Sequence, residues 1–458
     1  MVQGSDTTML IKEPPAGPIK KHLYKCGNPM KLIFAVMKKI MLSAIVFVLL
    51  VPLAAFTQTA APVYFSGAIK AKRAAQYKNI VQNTITKNLS LPLNEDTEEN
   101  WQDAFWAMEL LHYKSPWADT RIGLAFDSVE KRTTGFQRAL LELAYTSYSN
   151  RFIKPVTALL NKSMEVKIIA MCTEYLLQNN SFTPAMLAQI KKPTLVKNGK
   201  DSAILWQLFN RIKKQAGQKN SATIKTVLST EFLKGRTVLY SLQRSNRNYP
   251  GLAVIRDSTG KFVTDDEGNV FSVPQLARSI SNLPGYLTNG NTPQGIFRLY
   301  GFDTSKTTFI GPTTNIQLTM PFETSLQHFF NDSTITDSIW TAAWYKKLLP
   351  ARLKNYEPLF ESFYAGMAGR TEIIAHGTTV DPDFYKGESY YPQTPTMGCL
   401  CTKEVWSGED GKRLQSDQQK LAAALLKAGP PDGYCVVIEI DDAQKPVTIE
   451  EVLSLLKK

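Results

Sequence analysis

The feature that most constrains this chain is a change in the period of its apolar residues near Lys234 to Arg236. Upstream, from about Ser66, apolar residues recur at helical spacing and no segment reads as a strand. "WQDAFWAMELLH" puts Trp101, Phe105, Met108 and His112 on one face. "FQRALLELAYTSY" repeats the pattern with Phe136, Leu140 and Leu143, partly interrupted by Ser147. Residues 150–178 read as two amphipathic helices across a short polar break, similar to one unit of a HEAT-type solenoid, with no clear second copy. Downstream, "TVLYSLQ" (Thr237 to Gln243), "GLAVIRD" (Gly251 to Asp257), "GIFRLYGF" (Gly295 to Phe302) and "YCVVIEI" (Tyr434 to Ile440) are short, rich in β-branched and aromatic residues, and bounded by turn residues. "RDSTGKFVTDDEGNVF" adds two glycine turns of hairpin character. Between them, residues 323–370 are aromatic-rich and helix-prone, as expected of an insertion packed over a sheet and able to act as a lid. The expected fold is therefore α+β and multidomain: a helical region at 58–234 and a mostly β domain at 235–458, with the insertion at about 323–370.

Residues 1–57 read as a leader. "MKKIMLSAIVFVLLVPLAAFTQTAAP" has Lys38 and Lys39, an apolar run from Ile40 to Ala55, then small and polar residues. The run is shorter than the ~20 residues of a spanning helix, so it reads as a cleaved secretory signal peptide, with Met37 an alternative start. Cleavage near Thr57 implies an exported protein of the periplasm or cell envelope with no stable membrane anchor. No cysteine follows the run where a lipid anchor would need one. The net charge of +13 falls on cleavage but stays positive. No long Lys/Arg run with interleaved aromatics occurs outside the leader, so nucleic acid is not an expected partner. Processing leaves Cys172, Cys399, Cys401 and Cys435, too few for a disulfide scaffold. Cys401 and Cys435 share a domain and are the pair that would bridge if any did.

The residues that suggest chemistry lie between Thr371 and Trp406. "TEIIA" (Thr371 to Ala375) reads as a buried strand that delivers His376 and Gly377 to a loop, and after a Tyr- and Pro-rich stretch "TPTMGCLC" brings Gly398 and Cys399. A thiolate is the nucleophilic form of cysteine and an imidazole takes its proton, so the two residue types on adjacent segments make a dyad. Gly398 would let a substrate approach, and backbone N–H groups near it would hold an oxyanion. A buried His and a buried Cys with no joint role is the alternative reading of the same residues. No other His/Cys/Asp grouping has ligand spacing, so neither metal nor cofactor is expected. "DDEG" (Asp265 to Gly268) and "DPD" (Asp381 to Asp383) read as turns.

"HGT" at His376 to Thr378 followed by "TMGC" at Thr396 to Cys399 resembles the catalytic motif of the L,D-transpeptidase (YkuD-like) family, and "TPQGIF" at Thr292 to Phe297 resembles that family's upstream segment. The resemblance covers roughly Thr237 to Asp442. It implies Cys399 as acyl-accepting nucleophile, His376 as general base, Gly398 in the oxyanion turn, and Thr396 and Gly377 as motif partners. It further implies Thr378, Met397, Tyr390 and Tyr391 at the substrate, with Tyr385 also beside the cleft. Met397 stands where the family often has His, and Cys401 where it commonly has Arg or Asn. The implied activity is cysteine-dependent acyl transfer on peptidoglycan stem peptides through a thioester. A carboxypeptidase, endopeptidase or murein-protein amidase on the same fold, or a silent wall-binding module, are the alternatives.

Overall fold

Helices and sheet divide where the apolar period changes. The computed structural model describes residues 62–213, 221–305, 307–430 and 432–456, so the expected leader and signal peptide fall outside the described residues. Among them, no helix is long and apolar enough to cross a membrane. Helices Glu98–Leu110, Thr134–Ser147 and Val166–Gln178 bury Trp101, Phe105, Met108, Phe136, Leu140 and Leu143 completely, as their spacing requires. Ser115 and Thr133 cap the two helices that follow them by accepting the N–H groups of Ala118 and Phe136. His112 departs from the expected stripe. The helix stops at Leu110, the Tyr113 N–H reaches back to the Met108 carbonyl at 2.9 Å, and His112 takes a φ of 48°. Its ring is thereby turned against Tyr385, with centroids 5.1 Å apart.

The chain then forms β1 (Thr237–Arg244), β2 (Gly251–Arg256), β3 (Ser272–Gln275), β4 (Gly295–Thr304), β5 (Thr314–Thr319), β6 (Ile374–His376) and β7 (Leu400–Cys401). A β8–β9 hairpin (Glu404–Trp406 and Arg413–Ser416) and β10 (Gly433–Asp441) follow. One sheet runs β3-β2-β1-β10-β4-β5-β6-β7, parallel only at β1–β10 and β6–β7. Its two ends meet through paired hydrogen bonds of 2.8 Å between Leu276 and Cys401, which rolls it into a near-barrel. The fold is accordingly mixed helix and sheet, of α+β type.

Alternation along the strands gives the sheet two apolar faces. The inner face gathers Leu239, Ile255, Phe297, Ile316, Ala375, Leu400, Cys435 and Val437. The outer face, with Tyr240, Val254, Val436 and Ile438, is covered by the insertion through Phe329, Tyr345, Leu359 and Phe363. Most of the insertion's aromatic surface is therefore committed to the sheet. Ile280, Leu283, Tyr286 and Leu287, which follow β3, join the core of the helices, and Pro62–Lys458 is one compact unit.

Two local expectations are corrected. The strand expected over Thr371 to Ala375 begins only at Ile374, because Glu372 adopts a φ of 61° while its N–H donates to Glu323 Oε1 at 2.7 Å. Cys401 and Cys435 are free thiols. Cys435 shares the inner face with Leu400, and Cys401, the next residue after Leu400, faces the other way, so the pair cannot bridge without moving backbone.

Candidate active site

His376 closes β6, and Cys399 immediately precedes β7. The parallel register sets Ala375 beside Leu400 and His376 beside Cys401, so Cys399 leads into the strand that neighbours His376, two residues before the register partner of His376. Since Ala375 and Leu400 fill the barrel interior, His376 and Cys401 lie on the opposite face. The ladder is secured by the Thr402 N–H on the His376 carbonyl at 3.0 Å and by Gln418 Nε2 on the Ala375 carbonyl at 2.9 Å.

His376 is 3% exposed, and its Nδ1 lies 2.5 Å from the Gly377 carbonyl. A carbonyl only accepts, so the proton sits on Nδ1 and the lone pair is left on Nε2. Burial depresses the imidazole pKa to about 4, against a smaller opposing effect of that hydrogen bond. At neutral pH the ring is uncharged and basic at Nε2.

Cys399 is half-buried, with its Sγ 3.5 Å from the Glu372 carbonyl. Among the described residues no hydrogen bond joins this thiol to the His376 ring. Desolvation raises the thiol above its ordinary 9.0; the Ile374 backbone and the Arg370 guanidinium pull it down, while Glu372 and Glu323 push it up. In this form the two groups are a neutral thiol and a neutral imidazole.

The turn that presents Cys399 is built from three segments. Gly398 has a φ of 115°, and an added Cβ would overlap both Arg370 Nη2 and the Gly290 carbonyl oxygen. Glycine is required there for conformation and for space alike. The Thr396 hydroxyl accepts the Gly398 N–H at 3.0 Å and donates to the Cys399 carbonyl at 2.9 Å. That corrects one expectation: the Gly398 N–H already has an acceptor and is not available to an oxyanion. From the other side, the Thr292 hydroxyl donates to the Gly398 carbonyl at 2.8 Å. Thr292 opens the "TPQGIF" segment, so the two motifs, more than a hundred residues apart, are hydrogen-bonded to one another.

Arg370 was not legible from the sequence. It is 8% exposed, donating through Nη1 to the carbonyls of Gly285 and, at 2.6 Å, Asn291, and through Nη2 to that of Gly290. Burial lowers its pKa to about 10, while Cys399 and Glu142 hold it up, so it is a cation at neutral pH. The one available signal was a charged residue inside the apolar run "FYAGMAGRTEIIA".

The remaining expected residues separate into accessible and inaccessible. Met397 is partly buried, and its sulfur accepts the Trp106 indole N–H at 3.3 Å, which sets a helix of the N-terminal region against the loop. Tyr391 is 42% exposed. Thr378 and Tyr390 are corrections. The Thr378 hydroxyl accepts from Thr394 at 2.8 Å and from the Val380 N–H at 3.1 Å, which ties it into the loop. Tyr390 is fully buried with Tyr385, Leu276 and Val380, beneath an Arg278 guanidinium 4.7 Å from its ring. Both tyrosines are the loop's own small core rather than a cleft wall, because a loop of this length must bury apolar area to hold a shape. Gly377 sits against the buried Glu404 carboxylate, leaving no room for a Cβ; Glu404 in turn accepts the Ser416 hydroxyl at 2.6 Å. At the two acidic turns, Asp265 accepts the N–H groups of Glu267 and Asn269, and Asp381 accepts that of Asp383.

No family model, curated protein or solved structure matches this chain. The chemistry open to the site therefore follows from its own groups. They are an accessible thiol, a neutral imidazole on the neighbouring strand, and a buried cation behind the turn: the components of nucleophilic catalysis.

Proposed function

We propose that this chain is an exported, cysteine-dependent acyltransferase of the L,D-transpeptidase kind that acts on peptidoglycan stem peptides. In this reading the sheet, with its helical insertion, is the catalytic domain and the preceding helices are an accessory region against its loop. The observation that carries the proposal is the Thr292–Gly398 hydrogen bond of 2.8 Å, which joins the two segments on which the family resemblance rests.

Nε2 of His376 takes the Cys399 proton as the sulfur attacks the carbonyl that follows the diamino acid of a stem peptide. The C–N bond to the terminal D-amino acid breaks, and the leaving amine receives that proton, leaving a thioester on Cys399. An amine of a second stem attacks the thioester, the C–S bond breaks, and the amine's proton passes through His376 Nε2 to the departing Cys399 sulfur, which forms the cross-link and restores the thiol. The Arg370 cation stabilises the thiolate at both stages. Because the imidazole is neutral at rest, proton transfer accompanies attack and no preformed ion pair is needed.

Hydrolysis is the second reading. It is favoured by the half-exposed Cys399 together with an insertion whose aromatic side chains are committed to the outer face of the sheet, since water then competes with the acceptor amine. The test is incubation of the mature protein and its Cys399→Ser form with purified tetrapeptide muropeptides, read by mass. Cross-linked dimers support transfer and shortened monomers support hydrolysis. Substrate left unchanged by both forms refutes a peptidoglycan reaction and leaves a silent wall-binding module.

A further inference from the structure

One segment joins the helices to the turn that carries Cys399. Residues 279–292 lie between β3 and β4 and end at Thr292, and their apolar side chains are already in the helical core. Their polar groups are gripped from the same side. In helix Val166–Gln178, Lys167 Nζ donates to the Thr288 hydroxyl at 2.9 Å, and Glu174 accepts the Tyr286 hydroxyl at 2.7 Å. In helix Thr134–Ser147, the buried Glu142 carboxylate accepts Asn289 Nδ2 at 3.3 Å. Asn289 takes a φ of 58°, which asparagine tolerates better than most residues, and Gly290 follows it.

The other side of the segment meets the turn. The Gly290 and Asn291 carbonyls accept Arg370 Nη2 and Nη1, and Nη2 lies so near Gly398 that an added Cβ there would overlap it. From Glu142 to the turn the path is therefore Asn289, Gly290, Arg370 and Gly398, each step a hydrogen bond, a peptide link or a close contact. Charge follows the same path. Among the described residues Arg370 donates only to carbonyl groups, and the opposite charges that support it are Cys399, once ionised, and Glu142. A buried cation needs such compensation. Glu142 and the thiolate thus share one cation, and while Glu142 is charged the thiol gains less from Arg370 on ionising.

We propose that Glu142 is a positioning residue for the reaction of Cys399: through Asn289 and Arg370 it fixes the turn, and its charge sets how readily the thiol ionises. The helical region is then part of the reactive centre rather than a separate module. This rests on the reading of Cys399 as nucleophile but not on the identity of its substrate. Burial holds Glu142 up to about 7, with Glu109, Arg138, Lys167 and Arg370 as the charged or titratable groups around it. Those that face Cys399 are Arg370, Glu372 and Glu323.

The test is the pH dependence of Cys399 alkylation by iodoacetamide in the full chain, for the wild type, Glu142→Gln and Glu109→Gln. Labelling of Cys172, buried in the helical core, reports any unfolding. Glu142→Gln keeps an acceptor for Asn289 and removes only the charge. Well below pH 7 the wild-type carboxyl is as neutral as the amide, and the two proteins should react alike. Above it only the wild type carries the charge, so Glu142→Gln should react about threefold faster at roughly pH 8, since a tenfold gain in thiolate is partly offset by its lower nucleophilicity. Burial and the Glu142 charge hold Glu109 protonated, so Glu109→Gln should follow the wild type. The proposal is overturned by a Glu142→Gln to wild-type rate ratio that does not change with pH, by slower reaction of Glu142→Gln above pH 7, or by an equal shift in Glu109→Gln. Labelling of Cys172 in Glu142→Gln at neutral pH also overturns it, because that variant reproduces the protonated form the wild type populates there. Alkylation needs no stem peptide, so the muropeptide assay can fail while this coupling stands, and the reverse.

Discussion

Lowering the pH should unfold this protein in part through His376, and the size of that contribution can be worked out. The ring is 3% exposed and titrates near 4 when folded, against an ordinary value of 6.5. A histidine whose folded pKa is depressed binds its proton more readily in the unfolded chain. Stability is thus intact above 6.5 and falls as pH drops from 6.5 towards 4. At about 1.4 kcal/mol for each tenfold shift in proton affinity, the loss from neutral pH to pH 4 is about 3 kcal/mol. Other groups act in the opposite direction: burial holds Glu142 up to about 7 and raises Glu323 and Glu404, so their contribution grows on acidification. The assay must therefore isolate His376. Urea unfolding of the wild type and of His376→Asn, whose amide can still donate to the Gly377 carbonyl, gives a stability difference at each pH. That difference should move against the wild type by about 3 kcal/mol between neutral pH and pH 4. A difference constant within about 0.5 kcal/mol would refute the argument that the ring is held neutral by burial.

Three more expectations follow from the turn. Thr292→Val keeps the shape but leaves the Gly398 carbonyl without its donor, and should lower unfolding free energy by about 1–3 kcal/mol in urea titration; an unchanged midpoint would show that the two motifs are not coupled. Gly398→Ala combines a φ of 115° with overlap against Arg370 and the Gly290 backbone, and should destabilise by about 3 kcal/mol or more in the same assay. In native protein, iodoacetamide should label Cys399 and spare the buried Cys172, Cys401 and Cys435. Its rate should climb through pH 9 without levelling off, because burial raises the thiol; a plateau near neutrality would instead reveal a standing thiolate–imidazolium pair.

Much of the architecture was legible because period is a local property. The 3.6-residue stripe through Trp101, Phe105 and Met108 and the runs that became β1, β2, β4 and β10 are each decided by which side of an element must leave water. His112 and the start of β6 were misread for a related reason. In both places a backbone turn of positive φ overrides side-chain pattern, and the partner that stabilises the turn at Glu372 is Glu323, far away in sequence.

The sequence by itself determined the nature of the candidate chemistry: a thiol, an imidazole and the motifs around them, because nucleophilicity and proton affinity belong to residue types. What only the tertiary structure decided is the state of those groups and the company they keep. Burial of His376, the Arg370 cation against Gly398, the Thr396 hydroxyl occupying the Gly398 N–H, and Tyr390 turned inward all depend on segments brought together by the sheet and its rolled edge. Desolvation and hydrogen-bond pairing are properties of three-dimensional surroundings, and spacing along a chain does not encode them.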